Sequence, residues 1–272
     1  MIHASTALQH QRAKGEGQII TQVRDGATRI GRLYQEGCAK LRFPNTHANH
    51  LEAVLINTAG GLTGGDDLRW SAQAAPGSRL VVTTQACERI YRSLGKPAEI
   101  RTQLHVGAGA HLDWLPQETI LFERSQLDRT LDVELEDGAS FCAVEAVLLG
   151  RDAMGEESRL AEFRDRWTIR RKGRLTHAER ARLGTKNNER ENISLLAGAR
   201  AFATLLYVGP LAERTQARIA PLLAGKRIGM SRIGEKLVIR ALAASGLDLR
   251  RLIVPLLSEL SPIGSLPRVW HL

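Results

Sequence analysis

Hydrophobic and polar positions alternate along much of this chain with a period of two. Ile100, Thr102, Leu104 and Val106 alternate with Glu99, Arg101, Gln103 and His105, and Leu131, Val133 and Leu135 alternate with Asp132, Glu134 and Glu136. Such alternation gives a strand one buried and one wet face. Gln18–Val23 and Thr28–Tyr34 predict a strand pair around Asp25-Gly26, and Leu51–Ile56 predicts a further strand. Leu68–Ala74 and Leu80–Thr84 read as another pair through the turn Pro76-Gly77-Ser78. Asp137-Gly138 favours a two-residue hairpin into Ser140–Leu149, and Lys172-Gly173 joins Trp167–Arg171 to Arg174–His177. Strands recurring at intervals of about ten residues, with Gly and Pro between them, predict an all-β sheet pair or barrel.

The pattern changes in the last third. Pro210–Ala224 opens with a proline suited to a first helical turn and carries apolar residues at helical spacing. Leu249, Leu252, Ile253, Leu256, Leu257 and Leu260 form a second helical stripe, which Pro255 should kink, after a preceding element Lys236–Leu242. That stripe suits core packing better than a partner's surface. The expectation is a mainly β fold with a few C-terminal α-helices. Without an internal repeat or a dividing linker, residues 1–272 read as a single domain.

Composition narrows the class. A chain of 272 residues buries a substantial core, and no apolar run reaches bilayer length. The N-terminus, with His3, His10, Gln11 and Arg12, lacks the apolar core of a signal peptide. Cys38, Cys87 and Cys142 are odd in number and far apart, which predicts free buried thiols in a reducing cytoplasm. The net charge is +9, and basic residues crowd positions 159 to 190. Nucleic acid is the first partner such a cluster suggests, but no nucleic-acid motif and few aromatics accompany it. An acidic protein partner or a solvated basic face fits equally well.

Chemical motifs are scarce. Four glycines, Gly60, Gly61, Gly64 and Gly65, fall between Asn57 and Asp67, which marks a tight backbone passage. Gly60 and Gly65 have phosphate-loop spacing, yet Asp66 and Asp67 stand where that loop needs lysine and a hydroxyl residue. An acid there repels phosphate. No nucleophile elbow, Cys-x-x-Cys or His-Glu-x-x-His occurs. His47 and His50, with Cys38, are the nearest approach to a metal set, and two ligands without a third do not make a site.

The carboxylates hold more promise. Asp66, after the Gly-Gly pair, is suited to bonding nearby backbone N–H groups. Glu88 follows a strand, and Glu118 and Glu145 lie among apolar residues. A strand-borne Glu145 facing inwards is costly unless paired, and the plainer reading is a salt bridge to Arg89 or Arg92 or a place on the wet face of the strand.

Residues Leu55 to Asp66, reading Leu-Ile-Asn-Thr-Ala-Gly-Gly-Leu-Thr-Gly-Gly-Asp, strongly resemble the hallmark of the urease accessory protein D family, UreD, called UreH in some bacteria. Companion strings follow in family order: Lys40–Pro44, Thr83–Ala86 with Arg89–Ser93, Trp114–Phe122, Gly150-Arg151 with Met154–Glu156, and Pro267–Trp270. The resemblance implies two β-sheets in a layered, helically coiled arrangement with a few helices. It implies a non-enzymatic, cytoplasmic maturation factor that binds UreF and, through it, the GTPase UreG, and docks on the urease apoprotein. GTP hydrolysis by UreG would then drive nickel insertion, with nickel(II) in transit and no cofactor tightly bound. A water-filled passage is also implied, for which Asp66 is the first candidate, followed by Thr84, Glu118 and Glu145. The competing readings are a basic nucleic-acid binder and a hydrolase using Asp66 with Glu118 or Glu145 as an acid pair.

Overall fold

A computed structural model of the chain describes residues 12–151, 154–184 and 190–271. His3, His10, Gln11 and Lys186 therefore lie outside the described residues. The chain begins with β1 (Lys14–Arg24) and β2 (Ala27–Gly37), joined at Asp25-Gly26 as predicted. Short β3 (Ala39–Arg42) and β4 (Leu51–Asn57) pair next to each other. Then come β5 (Asp67–Ala74), β6 (Arg79–Thr84), β7 (Glu88–Ile90), β8 (Ala98–Val106), β9 (His111–Leu115) and β10 (Thr119–Leu121). They are followed by β11 (Gln126–Leu135), β12 (Ser140–Leu149), β13 (Glu162–Arg171), β14 (Arg174–Leu183) and β15 (Ala201–Val208). The last third holds α1 (Ala212–Ile219), β16 (Ile228–Ile233), β17 (Lys236–Ala243) and α2 (Gly246–Leu260).

These strands form two sheets. The seven-stranded sheet has the order β14-β13-β11-β8-β5-β1-β2. The ten-stranded sheet has the order β16-β17-β15-β12-β9-β6-β4-β3, with β10 and β7 attached beside β12. From β4 to β13, leaving aside short β7 and β10, consecutive strands alternate between the sheets, so the chain winds in stacked coils. Pairing within each sheet therefore joins successive coils in parallel, as Leu68 to Ile100 and Thr102 to Leu131.

Two predicted hairpins are corrected by this winding. β5 and β6 lie in opposite sheets, and so do β11 and β12, so neither the Pro76-Gly77-Ser78 turn nor Asp137-Gly138 closes a hairpin. The turns instead form coil corners stacked on one another: Gly77 N–H donates to Ala108 O at 2.9 Å, and Gly109 N–H to Asp137 O at 2.9 Å. The β13–β14 hairpin stands, extending to Leu183.

Alternation decides the two interiors. Ile100, Leu104, Leu131, Val133 and Trp167 from one sheet meet Leu80, Val82, Leu112, Trp114 and Phe141 from the other. The reverse face of the second sheet, with Val81, Cys142, Val144 and Ala146, is covered by Leu249, Ile253, Leu256, Leu257 and Leu260 of α2. β12 is thus buried on both faces, which explains its almost unbroken apolar run. Ser245 caps α2 by accepting the Asp248 N–H, and the helix continues through Pro255 to Leu260. The predicted stripe is core. Among the described residues no helix is long and apolar enough to cross a membrane.

Candidate functional site at the glycine loop

Residues 58–66 carry the chain from β4 in one sheet to β5 in the other. Leu62 is fully buried and pairs with the segment at Ile90: its N–H donates to Arg89 O at 2.8 Å, and its carbonyl accepts Tyr91 N–H at 2.7 Å. This contact explains the flanking glycines. Gly61 has φ +144°, and a Cβ there would lie 2.7 Å from Arg89 O. A Cβ on Gly64 would lie 2.3 Å from Lys96 O. Asp66 is 4% exposed and holds the turn, as the sequence predicts: Oδ2 accepts Thr63 N–H at 2.7 Å, and Oδ1 accepts Ala13 N–H at 2.9 Å. Both oxygens are engaged by backbone, so this carboxylate staples the loop to the entry of β1.

Beside the loop the companion strings converge. Glu88 N–H donates to Glu118 O, and Gln117 N–H donates to Thr84 Oγ1 at 2.8 Å, while Thr84 itself donates to Ala86 O. Gly150 N–H donates to Leu121 O, and buried Trp270 donates Nε1–H to Leu115 O at 3.0 Å. Glu118, 4% exposed, pairs with Arg250 Nη1 at 3.0 Å, and the Cys87 thiol lies 3.3 Å from its Oε2. Arg250 also bonds the Val269 carbonyl and sits over the Trp270 ring.

Two cavities meet at this cluster. A groove of about 680 Å³ is bordered by Glu118, Cys87, Arg89, Phe122, Leu148 and Arg250. A smaller space of about 150 Å³ under the loop is bordered by Gly60, Gly61, Asn57, Thr84, Glu88, Cys87 and Arg89. Cys87 and Arg89 belong to both walls. Burial pushes the Glu88 carboxyl up to about 7, against the hydrogen bond from Asn57 Nδ2 at 3.0 Å. Burial, then the charge of Glu118, pushes the Cys87 thiol up to about 12.

Glu145 stands apart, between the two sheets. It faces inwards rather than onto the wet face of its strand, and its partners are Arg129, at 2.5 Å, and Trp114 Nε1, at 2.9 Å, rather than Arg89 or Arg92. Arg129 also pairs with Asp165 at 2.8 Å and donates to Thr119 Oγ1 at 3.1 Å. Burial pushes the Glu145 carboxyl up while the guanidinium pulls it down.

The structure therefore brings Thr84 and Glu118 together, places Asp66 in the loop as a staple, and locks Glu145 into an interior ion cluster. Arg250 and Arg129 were missed because each reaches its partner across distant sequence. Cys87 and Glu88 are site residues that a spacing argument does not single out. Cys142 is buried, while Cys38 and Cys87 are only half-buried, which corrects the expectation of three buried thiols. His47, His50 and Cys38 form no metal set, and among the described residues no three potential ligands cluster.

The raised Glu88 carboxyl has a testable sign. The folded state binds a proton that the unfolded chain releases near pH 4.5, so stability falls as pH rises from there to about 7. Glu88→Gln removes this dependence. Its melting temperature relative to the parent should climb across that window and level off above it. A difference that stays flat with pH would show that Glu88 ionises freely.

The profile of the family described as UreD urease accessory protein matches residues 13–271. A urease accessory protein UreD of Chelativorans sp. (strain BNC1) is 59% identical over 263 residues, covering 96% of this chain and 95% of that relative. Those of Rhizobium rhizogenes and Rhizobium etli are 51% and 52% identical, each across the full length of both chains. With these matches running across nearly its whole length, the chain belongs to the UreD family of urease accessory proteins.

Proposed function

We propose that this chain acts without catalysis of its own in urease maturation in the cytoplasm, binding UreF and through it the GTPase UreG, and passing nickel(II) towards the urease apoprotein. The observation that carries the passage is the pair of cavities on either side of Cys87, one bordered by Glu118 and the other by Glu88 and Thr84. Carboxylate and hydroxyl oxygens are weak ligands for nickel and suit transfer rather than storage. Burial and the charge of Glu118 push the Cys87 thiol up to about 12, so forming a thiolate there costs more than at a free cysteine. Asp66 and Glu145 serve the fold in this reading, and the passage runs through Glu118 and Glu88.

The acid-pair hydrolase gains no support. Asp66 is held by two backbone N–H groups, Glu118 by Arg250 and Glu145 by Arg129, whereas general acid–base work needs carboxyls free to exchange protons in a cleft.

The test is urease activation in cells carrying the urease operon, with pull-down of UreF and UreG from the same samples. Glu88→Ala and Glu118→Gln should lower urease activity and nickel content several-fold while the complex persists. Asp66→Ala and Glu145→Ala should reduce the amount of folded protein and of complex together. Full activity in both Glu88→Ala and Glu118→Gln would remove the passage and leave a scaffold.

A further inference from the structure

The outer face of the seven-stranded sheet carries a lattice of charge set by strand register. One row across it reads Asp67, Glu99, Asp128, Arg164, Arg182, and the next reads Arg69, Arg101, Thr130, Arg166, Arg180. Over β5, β8 and β11 the lattice neutralises itself. Asp67 pairs with Arg69 at 2.7 Å and with Arg101 at 2.9 Å, Glu99 pairs with Arg101, and Asp128 pairs with Arg166 at 2.6 Å.

At β13 and β14 acids become scarce: Glu162, on the same face of β13, accepts the Gln126 Nε2–H at 3.1 Å. Arg164 stands directly opposite Arg182, and Arg166 opposite Arg180, on the same solvent face. Like charges directly opposed across strands are destabilising. Asp128 is already taken by Arg166, and Glu134 accepts the Gly173 N–H at 2.7 Å. Asp132, the remaining acid on β11, stands opposite Thr168. Among the described residues, Arg180 bonds the carbonyls of Trp167 and Glu179. Among the described residues, Arg164, Arg180 and Arg182 thus have no carboxylate partner.

We infer that the outer face of the β13–β14 hairpin docks an acidic polypeptide surface. Its carboxylates complete the lattice that Asp67, Glu99 and Asp128 complete elsewhere on the same sheet. The spacing is that of strands, with rows about 6.6 Å apart and neighbours within a row about 5 Å apart, and side-chain carboxylates already fit arginines at this spacing over β5 to β11. Arginine's planar fork suits carboxylates of fixed position. Nucleic acid fits less well, because the positions that follow the arginines along this face, Thr168, Ala178 and Leu175, offer no ring for base stacking. The inference uses the sheet face alone and does not depend on the nickel passage.

The test measures binding of a short poly-glutamate peptide and of a poly-thymidine oligonucleotide of matched charge to the full chain. Arg164→Glu with Arg182→Glu should weaken peptide binding about tenfold, while Arg69→Glu with Arg101→Glu, where acids already neutralise the arginines, should change it less than about twofold. Arg164→Gln with Arg182→Gln guards against misfolding: it relieves the opposed charges, so the melting temperature should rise by about 1–2 °C while peptide binding still weakens. Equal losses at both positions would overturn the inference, as would peptide binding indifferent to Arg164 and Arg182. Tighter oligonucleotide binding lost with the same arginines would reassign the face to nucleic acid.

Discussion

Replacing Arg129 with alanine is expected to destabilise the protein by about 3–5 kcal/mol, because it leaves buried carboxylates without their cation. Arg129 is almost fully buried and ion-paired to both Glu145 and Asp165, one on each sheet. Thr119 and Trp114 bond this cluster, and Trp167 Nε1 donates to Asp165 at 3.0 Å, so few groups can turn towards water. Urea unfolding at neutral pH measures the loss directly. Neutralising the acids as well, in Arg129→Met with Glu145→Gln and Asp165→Asn, should recover most of it, since what costs is an uncompensated buried charge. A loss below about 1 kcal/mol for Arg129→Ala would place the cluster among solvated ion pairs.

Gly61→Ala is the second large effect. The new methyl meets the Arg89 carbonyl at 2.7 Å and the Tyr91 ring at 2.4 Å, in a backbone conformation of φ +144° that other residues rarely adopt. Overpacking costs about 1–3 kcal/mol, and the strained backbone adds about 1–3 kcal/mol. Gly60→Ala is the matched control: φ is +76° there, but nothing lies within 4 Å of the added atom. Its loss should be about 1–2 kcal/mol, from the left-handed backbone alone. Melting of the two variants separates contact from conformation. If both lose the same amount, the packing of Leu62 against the Ile90 segment does not depend on close approach at Gly61.

What could be read from the chain beforehand follows a physical division. Alternation at Glu99–Val106 and Leu131–Glu136 identifies buried faces, because period two is a property of the strand itself. It does not identify the partner strand. The Asp25-Gly26 and Lys172-Gly173 turns close hairpins, whereas Asp137-Gly138, with similar chemistry, turns a coil corner, and only the path of the next strand distinguishes them. Asp66 was legible as a turn staple because its partner Thr63 is three residues away. Glu118 was legible as a buried acid but its guanidinium, on α2, was not, and Glu145 was assigned the wrong arginines for the same reason. Asp113, fully buried between His111 Nε2 at 2.7 Å and Ser261 Oγ at 2.6 Å, escaped notice altogether. Its neighbours Leu112 and Trp114 resemble any apolar strand.

The alternation of consecutive strands between sheets also sets how this chain must assemble in time. A hairpin closes over a few residues, but each parallel pair between β4 and β13 closes a loop of roughly 30 residues, so its entropy is spent before any ladder bond forms. Such topology folds slowly. It also exposes a growing sheet edge at every intermediate stage, since the last coil formed always awaits the next. The coils between β4 and β13 form a relay with no local starting point, whereas the β1–β2, β13–β14 and β16–β17 hairpins, each closed by a short turn, are able to form early. A partner present during synthesis would act on yield through rate, by capping that edge, even where it adds nothing to the stability of the finished fold.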